Sequence, residues 1–445
     1  MQRHRHPAGR LGPGAAAPLA VALALVAPAC ARDGPPLAEL LLGEASEEID
    51  CSIADTDRFV EHRCSTVRRA SELDGCIDDD TVDGHACILM DADVRFCDAG
   101  VTSAITAVFE SDGRTLDCAG GAIDHGIDAN GFGRPAPPME PVVAHPNAPA
   151  PAVWFPTDRS LSDIAIRNCT IRRTGERGIA MFRFFGGQLD GNGRMADGSA
   201  PLGHHDVVME DLHLENLKTG IYLGNYSRDV TMERIVIDGT DRIALYAESG
   251  SHRIALRDSV IANNLTREAV AIDSTYDSTL ENNLFVDNRE GAVNLYRNCG
   301  ELKGIVCPVI RDTPPNGNRV VGNRFVDNGI TELQIASRQG RKHRRGWCAT
   351  LDGQAGRFRD TAENNVVADN LFVCDEGTAL TVMDGPNRVT RNRIVARERC
   401  VPYEISTGGL GREASEELLG LEFEANAVDS VRPPRLRNVP KGLLP

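Results

Sequence analysis

The sequence predicts an all-β protein, a right-handed single-stranded parallel β-helix behind a cysteine-rich N-terminal cap. Three observations predict this fold class: a repeat of 22 to 24 residues, Asn and Asp turn residues that recur in phase within it, and a low aromatic content of 5%. The 43 glycines suit many short strands joined by tight turns. The predicted organisation is a signal peptide at 1–29, a cap at 30–110, the β-helix at 111–405 and a C-terminal tail or second cap at 406–445.

The first thirty residues have the anatomy of an export signal. Arginines precede a short apolar run at 15–26, and the small residues Ala27, Pro28 and Ala29 follow it. The run is shorter than the roughly 20 residues of a membrane-spanning helix, so it predicts a secretory signal. The segment also resembles a bacterial lipoprotein box with Cys30 as the lipidated residue, and cleavage after Ala29 is the alternative. We expect a bacterial protein that is secreted or held in the cell envelope, with membrane contact only through a lipid on Cys30.

Charge and cysteine content narrow the partners and the compartment. Asp and Glu number 64 against 48 Lys and Arg, and the net charge of −16 argues against a nucleic-acid-binding protein. The chain has thirteen cysteines, and twelve remain when Cys30 is set aside. This even number indicates disulfides formed in an oxidising compartment. Six of them lie between Cys51 and Cys118, which predicts a disulfide-stapled cap. Their pairing and the oligomeric state stay open.

Eight repeat units make up most of the remaining chain. Each unit runs from a strand through an Asn or Asp turn to a second strand, a polar loop and a third strand. The period is too short for a propeller blade and fits β-helix coils, because Asn and Asp tolerate the left-handed backbone of a tight corner. The units start at Ile166, Met209, Met232, Leu256, Leu280, Val320, Val367 and Val389, and the predicted turn residues are Asn168, Asp211, Asp258, Asn282, Asn323, Asp369 and Asn392.

The third strand of each unit is predicted to carry a polar outer face. Its apolar residues alternate and face inward, so the residues between them point outward. We expect Tyr246, Asp273 and Tyr296 to stand as consecutive steps of one ladder, about 4.8 Å apart. The two expected ladders are Ala180, Tyr222, Ala244, Ala271, Asn294, Gln334, Thr381 and Phe182, Gly224, Tyr246, Asp273, Tyr296, Ala336, Met383.

Three long intervals between units point to the same face. Their extra residues, at 183–203, 297–315 and 337–362, all leave after the third strand. Insertions at one phase of a solenoid project on one side, so they are predicted to wall the outer face into a groove. The alternative is that these loops cover an inert surface.

The side chains of this groove suit a polysaccharide or oligosaccharide partner. Tyrosines offer flat amphipathic surfaces to sugar rings, while Arg and amide groups donate hydrogen bonds to hydroxyl or carboxylate groups. The basic stretch at 337–345 is a candidate clamp for an anionic polymer. The predicted substrate-binding residues are Tyr222, Glu248, Tyr276, Asp277, Asn294, Gln334 and Arg338.

The predicted catalytic residues are chosen for proton abstraction next to a carboxylate. This chemistry needs one group to neutralise the substrate carboxylate, one to take the proton and one to return it or protonate the leaving oxygen. Arg297 or Arg338 is the candidate for the first task. Tyr246 or Tyr296 is the candidate base or acid, on the expectation that adjacent guanidinium groups lower the phenol pKa.

Asp273 completes the predicted catalytic set, and several roles stay open for it. It could orient the tyrosines, act itself, or bind Ca²⁺ together with Asp277; no cofactor is otherwise required. With Glu248 it could form the carboxylate pair of a glycoside hydrolase. A turn residue that caps the strand end is the alternative.

The repeat resembles that of the pectin-lyase-like superfamily over about 111–405. The resemblance lies in Gly-Ile-x-Leu strands, as at 220–223, and Glu-Asn-Asn-x-Phe turns, as at 281–285. It implies a relation to bacterial exported β-helix proteins that include alginate epimerases, alginate and pectate lyases, and the periplasmic β-helix protein of nitrous oxide reductase maturation. The segment from Asp273 to Ser278 stands where the epimerases carry Asp-Pro-His-Asp, but it has neither Pro nor His.

The leading hypothesis is a lyase or C5-epimerase acting on uronate-containing glycans. One alternative is a glycoside hydrolase that uses Asp273 and Glu248. The other is a non-catalytic carbohydrate-binding or cell-envelope protein.

Overall fold

A computed structural model describes most of the chain beyond the predicted export signal. The described residues are 64, 66–73, 75–78, 85–127, 150–181, 183, 195, 199–248, 250–297, 313–340, 359–407 and 420–437. Cys30, the predicted signal peptide and most of the three insertions lie outside them. None of the described residues forms a helix long and apolar enough to cross a membrane.

Parallel strands wind into successive coils, each contributing to three sheets, and this confirms the predicted right-handed parallel β-helix. The first sheet contains β3 (Val94–Arg95), β6 (Thr115–Asp117), β9 (Ser162–Arg167), β12 (His205–Glu210), β15 (Arg228–Glu233), β18 (His252–Arg257), β21 (Thr279–Glu281), β24 (Arg319–Val321), β27 (Val366–Ala368), β29 (Arg388–Thr390) and β31 (Glu422–Glu424). The second contains β4 (Thr102–Ser103), β7 (Ala122–Ile127), β10 (Thr170–Thr174), β13 (His213–Glu215), β16 (Val236–Asp238), β19 (Val260–Ala262), β22 (Leu284–Val286), β25 (Arg324–Val326), β28 (Leu371–Val382), β30 (Arg393–Ser406) and β32 (Ala427–Ser430).

The third sheet carries the predicted polar face. It contains β1 (Thr66–Arg69), β2 (Ala86–Met90), β5 (Ile105–Phe109), β8 (Val153–Trp154), β11 (Arg177–Met181), β14 (Thr219–Leu223), β17 (Ile243–Ala247), β20 (Val270–Asp273), β23 (Val293–Tyr296), β26 (Thr331–Ile335) and β33 (Arg435–Arg437). The long strands β28 and β30 continue from the second sheet into the third and join the two. A short 3-10 helix, Ala70–Glu72, follows β1.

Both predicted flanking segments contribute strands to these sheets. Within 30–110, β1, β2 and β5 pair in parallel with one another, and β5 pairs with β8 of the following coil. Within 406–445, β31, β32 and β33 add a last strand to each sheet. The third sheet therefore starts as early as Thr66.

Disulfides join neighbouring coils near both ends of the described solenoid. The pairs are Cys64–Cys87, Cys76–Cys97, Cys118–Cys169 and Cys374–Cys400. Disulfides persist in oxidising compartments, so the protein is extracellular or periplasmic.

Stacked apolar side chains fill the interior of the coils. The rings of Phe285, Phe325 and Phe372 lie on successive coils, with centroids 4.9 and 4.8 Å apart and nearly parallel planes. Each is fully buried. Their spacing is that of neighbouring strands in a sheet, so one inward position builds a continuous core along the solenoid.

Asparagine side chains line the inside of the corner between the first and second sheets. The side chain of Asn283 accepts the N–H of Ser259, and Asn323 in the next coil accepts the N–H of Asn283. The sequence prediction that Asn323 and Asn392 occupy the left-handed turn position is wrong. Gly322 and Arg391 have the positive φ there, and the asparagines that follow them point inward. We call this row, Ser259–Asn283–Asn323–Asn370–Asn392–Asn426, the corner ladder.

Candidate functional site

The outer face of the third sheet brings the predicted tyrosines and carboxylates together, in a register that differs from the predicted one. Tyr246 pairs with Tyr222 on one side and with Ala271 on the other, so its predicted place opposite Asp273 is wrong by two residues. Glu248 takes that place, because Ala247 pairs with Ile272. Tyr296 stands opposite Asp273, as predicted. The slip arises because Ala247, rather than Leu245, fills the inward position beside Ile272.

Each of three outward tyrosines donates a hydrogen bond to a carboxylate of a neighbouring coil. Tyr246 donates to Oδ2 of Asp273 at 2.7 Å. Tyr296 donates to Oε1 of Glu268 at 2.9 Å, and Tyr222 donates to Glu248. We call these three pairs the tyrosine–carboxylate face: Tyr222–Glu248, Tyr246–Asp273 and Tyr296–Glu268.

The face is compact and largely shielded from solvent. Tyr222 and Tyr246 meet edge to face with ring centroids 5.1 Å apart. Tyr246 and Tyr296 pack together around Ala271 in a small apolar cluster on the outside of the sheet. Asp273 is 0% exposed, Glu248 3% and Tyr296 1%. Polar groups in such an environment interact more strongly than they would in water.

Guanidinium groups flank the tyrosines. Arg338 lies over the ring of Tyr296 at 4.8 Å, and Arg177 lies over the ring of Tyr222 at 5.0 Å. Arg267 donates to Glu268 at 3.0 Å. These positions are suited to holding an anionic ligand close to the tyrosine hydroxyls.

The pKa of Tyr296 moves opposite to the sequence expectation. Burial raises it well above its ordinary value, and the nearby carboxylates of Glu268 and Asp273 raise it further. Arg267 and Arg338 act in the lowering direction without reversing the shift. The expectation of a lowered phenol pKa is therefore wrong for this residue, and Tyr296 is suited to donate a proton rather than to take one.

Arg297 and Arg338 follow β23 and β26 at the edge of the face. The N–H of Arg297 donates to Oδ1 of Asp360 at 3.0 Å, and its Nη2 donates to the carbonyl of Arg359 at 2.6 Å. The N–H of Arg338 donates to Oδ2 of Asp360 at 2.7 Å. Arg297 is buried against the returning chain, whereas Arg338 extends over Tyr296. Burial raises the pKa of Asp360 to about 6, although both N–H donors oppose the shift.

The remaining predicted binding residues divide between this face and the adjoining corner. Asn294 and Gln334 face each other in register next to Ala271, and both are half-buried. Tyr276 lies beyond β20, with its ring stacked on His252 at 4.7 Å. Asp277 occupies an exposed turn with positive φ just before β21.

The three insertions leave the solenoid at the predicted phase. They follow β11, β23 and β26, which are all strands of the third sheet. Only their ends belong to the described residues. Within the described part of the chain, no group of three or more His, Cys, Asp or Glu side chains is arranged to hold a metal ion.

Sequence reasoning missed four residues of this site: Arg177, Arg267, Glu268 and Asp360. Glu268 lies in the polar loop before β20, which the repeat pattern marks only as a connection. The signal for it is that a buried tyrosine hydroxyl needs an acceptor, and Tyr296 can reach only the adjacent coils. Asp360 had no comparable signal, because its partners are main-chain groups.

Comparisons with known proteins agree with this fold. Residues 166–305 match the family model for a right handed beta helix region. The structure is similar to that of the periplasmic alginate epimerase AlgG, with a TM-score of 0.50 and 9% identity over 84% of this chain and 82% of that chain. This similarity shows a shared fold, a right-handed parallel β-helix.

Two further solved structures are similar over most of the chain. One is the A-module of the mannuronan C-5 epimerase AlgE6 from Azotobacter vinelandii, with a TM-score of 0.41 and 12% identity over 80% of this chain and 89% of that chain. The other is the DFA-IIIase of Arthrobacter chlorophenolicus A6, with a TM-score of 0.43 and 12% identity over 79% of this chain and 86% of that chain. No curated protein matches the sequence.

Proposed function

We propose that the protein binds a uronate-containing polysaccharide on the tyrosine–carboxylate face and modifies it by β-elimination or C5-epimerisation. One observation carries the proposal: a carboxylate, a protonated tyrosine and a guanidinium meet on adjacent coils, in Asp273, Tyr296 and Arg338. These are the groups that proton abstraction next to a carboxylate requires. The shared fold with a protein named as an alginate epimerase supports the same substrate class.

In this proposal each group has one task. Arg338 pairs with the substrate carboxylate and so stabilises the negative charge that develops when the proton on C5 leaves. Asp273 takes that proton, and its two oxygens are held by Tyr246 and by the Ser274 hydroxyl. Tyr296 gives up its own proton, which its raised pKa keeps in place until then.

The destination of the Tyr296 proton separates the two reactions. In elimination it goes to the glycosidic oxygen, the bond from C4 to that oxygen breaks and a C4–C5 double bond forms. In epimerisation it goes to C5 from the opposite face, so that a C5–H bond is re-formed with inverted configuration and the glycosidic bond stays intact.

Incubation with alginate and with polygalacturonate tests the proposal. Elimination is expected to give an ultraviolet-absorbing unsaturated product, and epimerisation a changed C5 configuration in the proton NMR spectrum. Asp273→Asn should lower turnover by about 10²- to 10⁴-fold, the usual contribution of a general base. Asp258→Asn, at an exposed turn of the same solenoid, is the control and should keep full turnover. Equal turnover in the two variants would exclude Asp273 as the base.

A glycoside hydrolase is the second candidate, and the register supports it. Glu248 and Asp273 occupy equivalent outward positions on adjacent coils, as expected of two carboxylates on either side of a glycosidic bond. New reducing ends without ultraviolet absorbance would favour this reaction. Binding without turnover would favour a carbohydrate-binding protein.

A further inference from the structure

Asp360 is a buried carboxylate at the point where the chain returns to the solenoid after its third insertion. It is 0% exposed. Its two oxygens accept hydrogen bonds from two different coils, Oδ1 from the N–H of Arg297 and Oδ2 from the N–H of Arg338. A single side chain therefore connects the ends of β23 and β26.

The position of these bonds explains why a carboxylate is needed there. Tyr296 is the last residue of β23, and the N–H groups of Ala336 and Ser337 both turn to the carbonyl of Leu295. The regular parallel ladder ends at this point. The N–H groups of Arg297 and Arg338 lie just beyond it, and buried N–H groups require an acceptor. Asp360 serves both of them.

Further bonds fix Asp360 itself. Its own N–H donates to Oε1 of Gln339 at 2.8 Å, and Nη2 of Arg297 donates to the carbonyl of the preceding residue, Arg359, at 2.6 Å. Gln339 is 2% exposed. The two coil ends and the returning chain thus hold each other through reciprocal hydrogen bonds.

We propose that Asp360 is a positioning residue for the site: by tying the ends of β23 and β26 together, it sets the Arg338 guanidinium over the ring of Tyr296. Asp360 accepts the main-chain N–H of Arg338, the residue whose guanidinium lies over the ring. It also accepts the N–H of Arg297, and Tyr296 is the residue immediately before Arg297. The distance of 4.8 Å between the guanidinium and the ring depends on this tie. The inference rests on the proposed function, in which Arg338 pairs with the substrate carboxylate.

Asp360→Asn tests the inference, with Asp384→Asn as the matched control. Asp384 is also buried and also accepts two main-chain N–H groups, those of Ala362 and Gly385, both at 3.1 Å. Both variants lose one charged acceptor of the same kind. Only Asp360 connects the chain ends that carry Arg338 and Tyr296.

The deciding readout is selectivity for the substrate carboxylate. Calorimetry compares a uronate oligosaccharide with the same oligosaccharide after reduction of its carboxyl groups. Asp360→Asn should weaken binding of the uronate form by about tenfold or more, the range of one charge-assisted contact, and binding of the reduced form by less than about twofold. Asp384→Asn should leave the ratio of the two affinities at its wild-type value. An unchanged ratio in Asp360→Asn overturns the positioning role.

Amide hydrogen exchange separates this result from a failure of the proposed function. Asp360→Asn should speed exchange at the N–H groups of Arg297 and Arg338, and Asp384→Asn should not. Unchanged exchange in Asp360→Asn rejects the tie, whatever the ligand does. If the wild-type protein binds no uronate, the proposed function is rejected. Faster exchange in Asp360→Asn would then show that the tie has a structural role only.

Discussion

Replacing Asn283 by Ala removes a side chain that holds neighbouring coils together at the corner ladder. The Asn283 side chain accepts the N–H of Ser259 at 3.0 Å and donates to the carbonyl of Leu256 at 2.9 Å. It also donates to Oδ1 of Asn323 at 3.0 Å. That oxygen keeps a hydrogen bond after the substitution, because it also accepts the main-chain N–H of residue 283 at 2.9 Å. The substitution therefore takes one hydrogen bond each from two buried main-chain groups, those of Ser259 and Leu256.

The expected loss follows from these two groups. A buried polar group left without its partner costs about 1–3 kcal/mol, so the free energy of unfolding should fall by about 2–6 kcal/mol. This is a large part of the roughly 5–15 kcal/mol that stabilises an ordinary folded domain. Stability in a solenoid depends on contacts between neighbouring repeats, so the loss should be concentrated in the coils that flank Asn283.

The preceding residue supplies the control. Asn282 is exposed and has a φ of 56°, which glycine adopts without steric cost, so Asn282→Gly should change stability by less than about 1 kcal/mol. Chemical unfolding followed by circular dichroism gives the overall loss, and hydrogen exchange in peptides spanning 256–288 locates it. Equal stability of the two variants would refute the role assigned to the corner ladder.

Three further predictions concern titration and cross-linking. Burial raises the pKa of Tyr296 above its ordinary value of 10, so this hydroxyl should stay protonated near pH 10. The rise in phenolate absorbance near pH 10 should therefore be the same for wild type and Tyr296→Phe. A smaller rise in the variant would contradict this. Burial raises the pKa of Glu332 from 4.5 to about 8, so its stabilising effect is complete below pH 4.5 and is lost as the pH rises to 8. The free energy of unfolding of wild type should therefore fall relative to that of Glu332→Gln by up to about 5 kcal/mol over this range, and a constant difference between the two would refute it. The bond between Cys118 and Cys169 closes a separation of 51 residues, so replacing both with Ala should lower the free energy of unfolding by about 4 kcal/mol, and an unchanged denaturation midpoint would count against that value.

The fold could be predicted because its repeat depends on local properties. Asn and Asp recur where the backbone must turn with positive φ, as at Asp211, Asp258 and Asn282. The same residue type also serves inside the corner, where Asn323 is chosen for its hydrogen bonds. Sequence alone does not separate the two uses when a glycine or arginine occupies the turn itself, as Gly322 and Arg391 do.

The site could be predicted only in part, because its details depend on register. An inward–outward–inward pattern fits two overlapping stretches, Ile243-Ala244-Leu245 and Leu245-Tyr246-Ala247. Apolar alternation alone favours the first stretch, because Ile243 is larger and more apolar than Ala247. The structure places Ala247 inward beside Ile272. This slip of two residues replaces Tyr246 with Glu248 opposite Asp273. Tyr246 still reaches Asp273, because a tyrosine side chain is long enough to contact a diagonal neighbour on the next strand.

The corner ladder and the tyrosine–carboxylate face join the same pair of coils from opposite sides. The bond from Ser259 to Asn283 links the coil that contains Glu268 to the coil that contains Tyr296. The bond from Tyr296 to Glu268 links them again on the outer face. A change in the spacing of these coils at the corner must therefore change the distance that the Tyr296 side chain spans. Asn283→Ala should weaken uronate binding as well as stability, whereas Asn392→Ala, which removes equivalent hydrogen bonds in later coils, should reduce stability alone.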